Sequence, residues 1–177
     1  MNGQRRAVFL DRDGVINVPP LGSPYITGPD ELILLPGVPE AIRFLRSCGY
    51  LVVVVTNQQG IGLGLLTHER LGEIHQRMRR LLAERGAAVD DVFYCPHRDI
   101  DGCCCRKPQP GMLIAAAQVH DIDLRRSLMI GDSKKDIQAG RAAGCRTILV
   151  GNDFAATHTI GADDMISRLN EIRSLNI

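Results

Sequence analysis

Asp11 and Asp13 stand two residues apart, directly after the apolar run Ala7-Val8-Phe9-Leu10 and directly before Gly14. Two carboxylates pushed together repel one another unless a cation or a shared proton compensates. At the carboxyl end of a strand they would face the rim where open α/β sheets place ligands. The same residues also make an ordinary turn, because Asp and Gly are common turn formers. Three further groups bear on the choice. Thr56-Asn57 ends a second apolar run at 51–55, Gly131-Asp132 ends another that starts at Ser127, and Arg106-Lys107 lies in a loop after a third. Acids, a hydroxyl and two bases gathered at strand ends suit a magnesium and phosphate site. Magnesium favours one or two carboxylates together with phosphate oxygens and water, while lysine and threonine hold phosphoryl oxygens as charge develops. The joint placement reads as phosphoryl transfer.

The elements that must position these residues follow from the pattern of apolar positions. Strands are expected at 7–10, 51–55, 89–94, 127–130 and 145–150, the first two as continuous apolar runs of the kind buried on both faces of a parallel sheet. Between them, Val38, Ala41, Ile42, Leu45 and Cys48 recur at helical spacing, with Gly49 as the stop. Thr67 can cap a long helix whose Leu71, Ile74, Met78, Leu81 and Leu82 form one apolar stripe, ended by Gly86. His68 and His75 on that helix read as surface residues. Further helices are expected at 111–120, 137–143 and 163–175. Alternation of strand and helix implies a parallel sheet with right-handed crossovers, hence an α/β fold with helices on both faces. Residues 17–37 are rich in Pro and Gly and read as a loop or short hairpin flap beside the Asp pair. Too few residues separate the third strand from the helix at 111 to build a lid domain. One domain over 1–177 is the expectation.

The segment Cys95-Pro96-His97 followed by Cys103-Cys104-Cys105 offers two pairs of soft ligands across a five-residue loop. Zinc takes four such ligands tetrahedrally, and a fully ligated site is structural. Cys95, His97, Cys103 and Cys105 are the expected set, with Cys104 in place of Cys105 as the alternative register. Such a knot would fix Arg106-Lys107 immediately downstream. Composition adds exclusions. The 177 residues carry a formal charge of +1 and 45% hydrophobic residues, with no apolar run long enough to span a membrane. No basic face for nucleic acid stands out, and no signal-peptide core follows Met1. The expectation is a cytoplasmic monomer whose partner is a small phosphorylated molecule.

Asp11-Arg12-Asp13-Gly14, Thr56-Asn57-Gln58, Lys107-Pro108 and Gly131-Asp132-Ser133-Lys134-Lys135-Asp136 resemble the four motifs of the haloacid dehalogenase superfamily of phosphatases. The resemblance implies its fold, a three-layer Rossmann-like parallel sheet, here without a large cap domain. It implies that Asp11 is the nucleophile and Asp13 the general acid/base, with Thr56 and Lys107 completing the catalytic set. By the same resemblance, magnesium takes Asp11, Asp13 through its backbone carbonyl, and Asp132, while Asp136 orients Lys107 or the metal shell. The zinc segment running into Cys-Arg-Lys-Pro is similar to two sibling families within it, the heptose 1,7-bisphosphate 7-phosphatases and the histidinol-phosphate phosphatases. Pro108-Gln109-Pro110-Gly111 and Tyr25-Ile26 with Leu35-Pro36-Gly37-Val38 look more like the former, which implies a sugar bisphosphate as substrate. Asn57, Arg106 and Tyr25 are then the expected substrate contacts, with Arg106 for the second phosphate. Gln59 and Leu63 depart from the serine and arginine common in that pattern. A catalytically idle binding module on the same fold is the alternative of another class.

Overall fold

The structure is a computed structural model that describes residues 4–20, 22, 25–152 and 160–177. Among the described residues, six strands form one parallel sheet: β1 (Arg6–Leu10), β2 (Tyr50–Asn57), β3 (Asp91–Cys95), β4 (Leu128–Gly131), β5 (Arg146–Val150) and β6 (Asp164–Ile166). Their order is β3-β2-β1-β4-β5-β6. The order reverses beside β1, so the crevice at its carboxyl end lies where such sheets bind ligands. Among the described residues, four helices cover the faces: α1 (Val38–Ser47), α2 (His68–Ala83), α3 (Gly111–His120) and α4 (Lys134–Ala143).

The strands alternate, yet both of their faces are buried. Val8 and Leu10 of β1, with Val52 and Val54 of β2, pack with Ala41, Ile42 and Leu45 of α1 and Leu71, Ile74, Met78 and Leu82 of α2. Ala7, Phe9, Val53 and Val55 point the other way, against Met112, Leu113 and Ala116 of α3 and Ala139 of α4. Burying one large apolar side chain contributes roughly 1.5–3 kcal/mol, so the two half-cores fix the register of the central strands. The α2 stripe is the one its spacing predicts. Thr67 caps that helix by accepting a hydrogen bond from the Arg70 N–H at 3.1 Å.

The carboxyl-terminal segment differs from expectation. In place of a helix over 163–175, Asp164–Ile166 pairs with β5 as the edge strand, and a 3-10 helix spans Leu169–Ser174. The buried residues Ile166, Leu169 and Ile172 fall exactly three apart in the sequence, which suits three residues per turn at least as well as 3.6. Asp163 settles the strand, since its carboxylate accepts both the N–H and the hydroxyl of Thr147 at 2.7 Å. The third strand also begins two residues later than predicted. In the expected flap, residues 21, 23 and 24 lie outside the described set. Its described ends form a short hairpin, in which the Val18 N–H donates to Ile33 O and the Leu35 N–H donates to Ile16 O.

Candidate active site

The carboxyl ends of β1, β2 and β4 bring Asp11, Asp13, Thr56, Asn57, Lys107, Ser133, Lys135 and Asp136 around a cavity of about 140 Å³. Lys107 is its centre of charge. The ammonium lies 2.7 Å from Asp11 Oδ1 and 2.6 Å from Asp136 Oδ1, and it donates to Val55 O at 2.8 Å. Burial alone would lower its pKa. The two carboxylates outweigh that and raise it above the ordinary lysine value. A buried ammonium with three acceptors is a fixed positive charge.

Backbone contacts hold this lysine in place. Asn57 Nδ2 donates to Lys107 O and the Lys107 N–H donates to Asn57 Oδ1, both at 3.0 Å. Asn57 therefore clasps the lysine backbone, a partner beyond the substrate contact expected of it. Asp136 is equally committed. Its second oxygen accepts the Ser133 N–H at 3.1 Å and the Ser133 hydroxyl at 2.6 Å, so of the two roles expected for it the geometry matches the orienting of Lys107. Gly131 permits this approach, because a Cβ there would come within 2.2 Å of the Asp136 side chain.

Asp11, Asp132 and Asp136 each offer a carboxylate oxygen, all within 4.8 Å of one another. Burial pushes the Asp11 carboxyl up to about 7; Lys107 opposes the rise, and Asp136 and Asp132 add to it. Asp132 meets solvent on its outer side, yet partial loss of hydration and then Asp136 raise it to about 6. One ammonium does not neutralise three crowded acids. Hard oxygen donors with uncompensated charge fit magnesium. Gly14, at φ +88°, leaves room for Asp132, whose Oδ2 would lie 1.9 Å from an added Cβ.

Asp13 is gripped from behind. The buried Arg12 guanidinium reaches both of its oxygens, at 2.9 and 2.8 Å, and Asn17 Nδ2 donates to Oδ1 at 2.9 Å. Gln58 Nε2 lies 3.3 Å from Oδ2 and donates to Thr56 Oγ1 at 2.8 Å. His75 approaches Arg12 Nη1 at 3.4 Å through Nε2. It is a buried residue and not the surface one expected. Burial, then the charges of Arg12 and Arg79, lower its pKa to about 3, so it is neutral here. Arg12, Asn17 and Gln58 were assigned no role from the sequence, and His75 was read only as a surface residue. The signal that existed was a polar residue at each site adjoining an acid or an apolar stripe.

The zinc segment converges as its spacing implies. Cys95, His97, Cys103 and Cys105 place their donor atoms within 4.8 Å of one another. The sulfurs are 3.1 to 3.6 Å apart, and His97 Nδ1 lies 3.4 Å from Cys95 and 3.3 Å from Cys105. A tetrahedron with Zn–S bonds of about 2.3 Å has edges of roughly 3.7 Å, so the set fits zinc with slight expansion. Cys104 is exposed and outside the cluster. Arg106, expected at the substrate, is ion-paired with Asp99 at 2.5 Å. The Tyr25 hydroxyl is held by Gln59 Nε2 at 2.6 Å.

Known proteins resemble this chain in sequence and in fold. Residues 104–171 match the family described as HAD-hydrolase-like. A D-glycero-beta-D-manno-heptose-1,7-bisphosphate 7-phosphatase of Bordetella bronchiseptica is 44% identical over 145 residues, covering 82% of this chain and 80% of its own. The enzyme of that name from Pseudomonas aeruginosa is also 44% identical, over 82% of this chain and 81% of its own. The chain belongs to the haloacid dehalogenase-like phosphatases. It is thus a phosphoric monoester hydrolase. The crystal structure of D,D-heptose 1,7-bisphosphate phosphatase from B. bronchiseptica, complexed with magnesium and phosphate, superposes with a TM-score of 0.84 at 37% identity, covering 96% of each chain. Among the described residues, no helix is long and apolar enough to cross a membrane.

Proposed function

We propose that this phosphatase hydrolyses the 7-phosphate of D-glycero-D-manno-heptose 1,7-bisphosphate through an aspartyl-phosphate intermediate, acting as a single-domain cytoplasmic monomer. The observation that carries the chemistry is the buried Lys107 ammonium spanning Asp11 and Asp136 at the end of β1. Asp11 attacks phosphorus. An Asp11 O–P bond forms as the ester O–P bond breaks, and Asp13, as general acid, delivers a proton to the departing sugar oxygen. Asp13 then takes a proton from water, whose oxygen attacks phosphorus and frees Asp11 and inorganic phosphate. Lys107 holds positive charge beside the phosphoryl oxygens throughout, and Thr56 presents its hydroxyl to them. Magnesium bound by Asp11, the Asp13 carbonyl and Asp132 would neutralise charge on the incoming phosphate. Zinc held by Cys95, His97, Cys103 and Cys105 would stiffen the loop that delivers Lys107.

The substrate assignment rests on the names of relatives at 44% identity. They are named for the β-anomer, which is the one to test first. One enzyme preparation should be assayed with heptose 1,7-bisphosphate and with histidinol phosphate. A much higher kcat/KM for the bisphosphate is expected. Preference for histidinol phosphate would overturn the substrate and leave the chemistry standing, and no phosphatase activity on any ester would favour an idle binding module.

A further inference from the structure

Asp99 lies in a one-turn 3-10 helix of the zinc loop, at the junction of two cavities. One is the catalytic cavity, which Lys135 helps to line. The other, about 380 Å³, adjoins it across Lys107 and is lined by polar groups that include Arg98, Asp99, Arg106 and Gln109. A single oxygen, Asp99 Oδ1, takes a cation from each side: Arg106 Nε at 2.5 Å and Lys135 Nζ at 3.4 Å. Arg106 also donates from Nη1 to His97 O at 3.3 Å, so Nε is the atom it turns to Asp99. Asp99 is well exposed, and its hydrogen bond from Arg106 holds the carboxyl below its ordinary value. Arg106 is largely buried, but Asp99 and Lys135 are open to solvent, and pairs made by so exposed a carboxylate are weak and exchange readily.

The position of Lys135 needs a reason. Lys134 and Lys135 open α4, where the helix dipole disfavours cations and an acid would be the stabilising choice. Residues that run against a local preference are often kept for function. The other cations of this rim are engaged elsewhere. Lys107 is committed to Asp11 and Asp136, and Arg98 to Asp101 at 2.9 Å. Arg106 and Lys135 are left as a pair, converging on one carboxylate oxygen at the lip of the site.

We propose that Lys135 is a specificity-determining residue that forms, with Arg106, a two-cation clamp for the substrate's distal phosphate, and that Asp99 is a stand-in anion which this phosphate displaces. The proposal rests on the bisphosphate reading above. A phosphate dianion offers more charge and more acceptor oxygens than one carboxylate, and Arg106 can bind it in bidentate fashion while Lys135 adds a point charge. Asp99 keeps the two cations apart from carboxylates of the catalytic centre until substrate arrives, and it makes a monoanionic or uncharged tail a poor competitor.

The test compares kcat/KM for heptose 1,7-bisphosphate with that for a sugar monophosphate lacking the distal group, using magnesium- and zinc-loaded enzyme. In Lys135→Met the ratio of the two efficiencies should fall about tenfold, the cost of one charge-assisted contact, with KM for the bisphosphate carrying the change. Lys135→Arg should recover most of the ratio. Asp99→Asn should lower KM for the bisphosphate severalfold, because the competing anion is gone. An unchanged ratio in Lys135→Met, or a raised bisphosphate KM in Asp99→Asn, would overturn the clamp. A wild-type enzyme with no preference for the bisphosphate would instead refute the substrate reading itself, and circular dichroism of each variant separates misfolding from either result.

Discussion

The two sides of the catalytic rim are held by different physics. On the sheet side, Asp11, Asp136 and Lys107 are buried, short-bonded and delivered by strand ends whose register two half-cores enforce. On the loop side, Arg106 and Lys135 meet on the exposed carboxylate of Asp99, which belongs to the segment that also carries the thiol and imidazole cluster. The first arrangement is suited to a charge that must not move during phosphoryl transfer. The second is suited to groups that exchange one anion for another.

Breaking the sheet side should have the largest consequences. Asp11→Asn removes the nucleophile and should reduce turnover by more than any other single change. Asp13→Asn keeps size but loses the proton shuttle, and should cost on the order of 10²–10⁴ in rate. Rapid-quench detection of phosphorylated enzyme tells them apart: Asp11→Asn should form none, whereas Asp13→Asn with a good leaving group should accumulate it. Near-wild-type turnover in either variant, with magnesium present, would refute the mechanism. Lys107→Ala removes one preorganised stabiliser, worth about 3 kcal/mol, and should lower kcat roughly a hundredfold. An unchanged kcat with only a raised KM would mean that Lys107 serves ground-state binding.

The loop side should break more gently. Cys105→Ser should release zinc, lower the thermal midpoint and reduce activity indirectly, by loosening Arg106 and Lys107. Cys104→Ser should retain zinc, since that thiol lies outside the donor cluster. Elemental analysis of the two purified variants decides this. Zinc lost from Cys104→Ser and kept in Cys105→Ser would mean that the other register binds the metal.

How far this difference could be read in advance depended on how local the determining signal was. A strand's apolar run and the polar residues at its end are contiguous, so Asp11, Asp13, Thr56 and Asp132 could be set on one rim from spacing alone. Cys95 to Cys105 is equally local. The grip on Asp13 was invisible for the opposite reason: Gln58 and His75 lie 45 and 63 positions from their partners, and the pairing of β2 with β1 joins the first while the packing of α2 against the sheet joins the second. His75 looked like a polar residue on an amphipathic helix because its donor, Arg12, is itself buried where no arginine is expected. The tail failed through period: apolar residues three apart satisfy a 3-10 turn and an α-helix alike until a strand partner is known.

His75 gives the smallest effect and the sharpest check on that buried grip. Its folded pKa of about 3 lies below the roughly 6.5 of an unfolded histidine. Between those values the unfolded chain holds the extra proton, so stability rises with pH across the window. The contribution is complete above about 6.5 and is lost as pH falls toward 3. The slope for one proton is about 1.4 kcal/mol per pH unit. His75→Gln keeps an acceptor for Arg12 but cannot titrate. At pH 7.5 the variant should therefore be only slightly less stable than the parent, and between pH 6.5 and 4.5 it should lose about 2 kcal/mol less. Asp11 and Asp132, whose raised values give the opposite slope, titrate in both proteins and cancel in the difference. Urea denaturation midpoints at three pH values measure it. Parallel pH profiles would show that His75 accepts its proton in the folded state, and that the Arg12 grip on Asp13 does not require a neutral partner behind it.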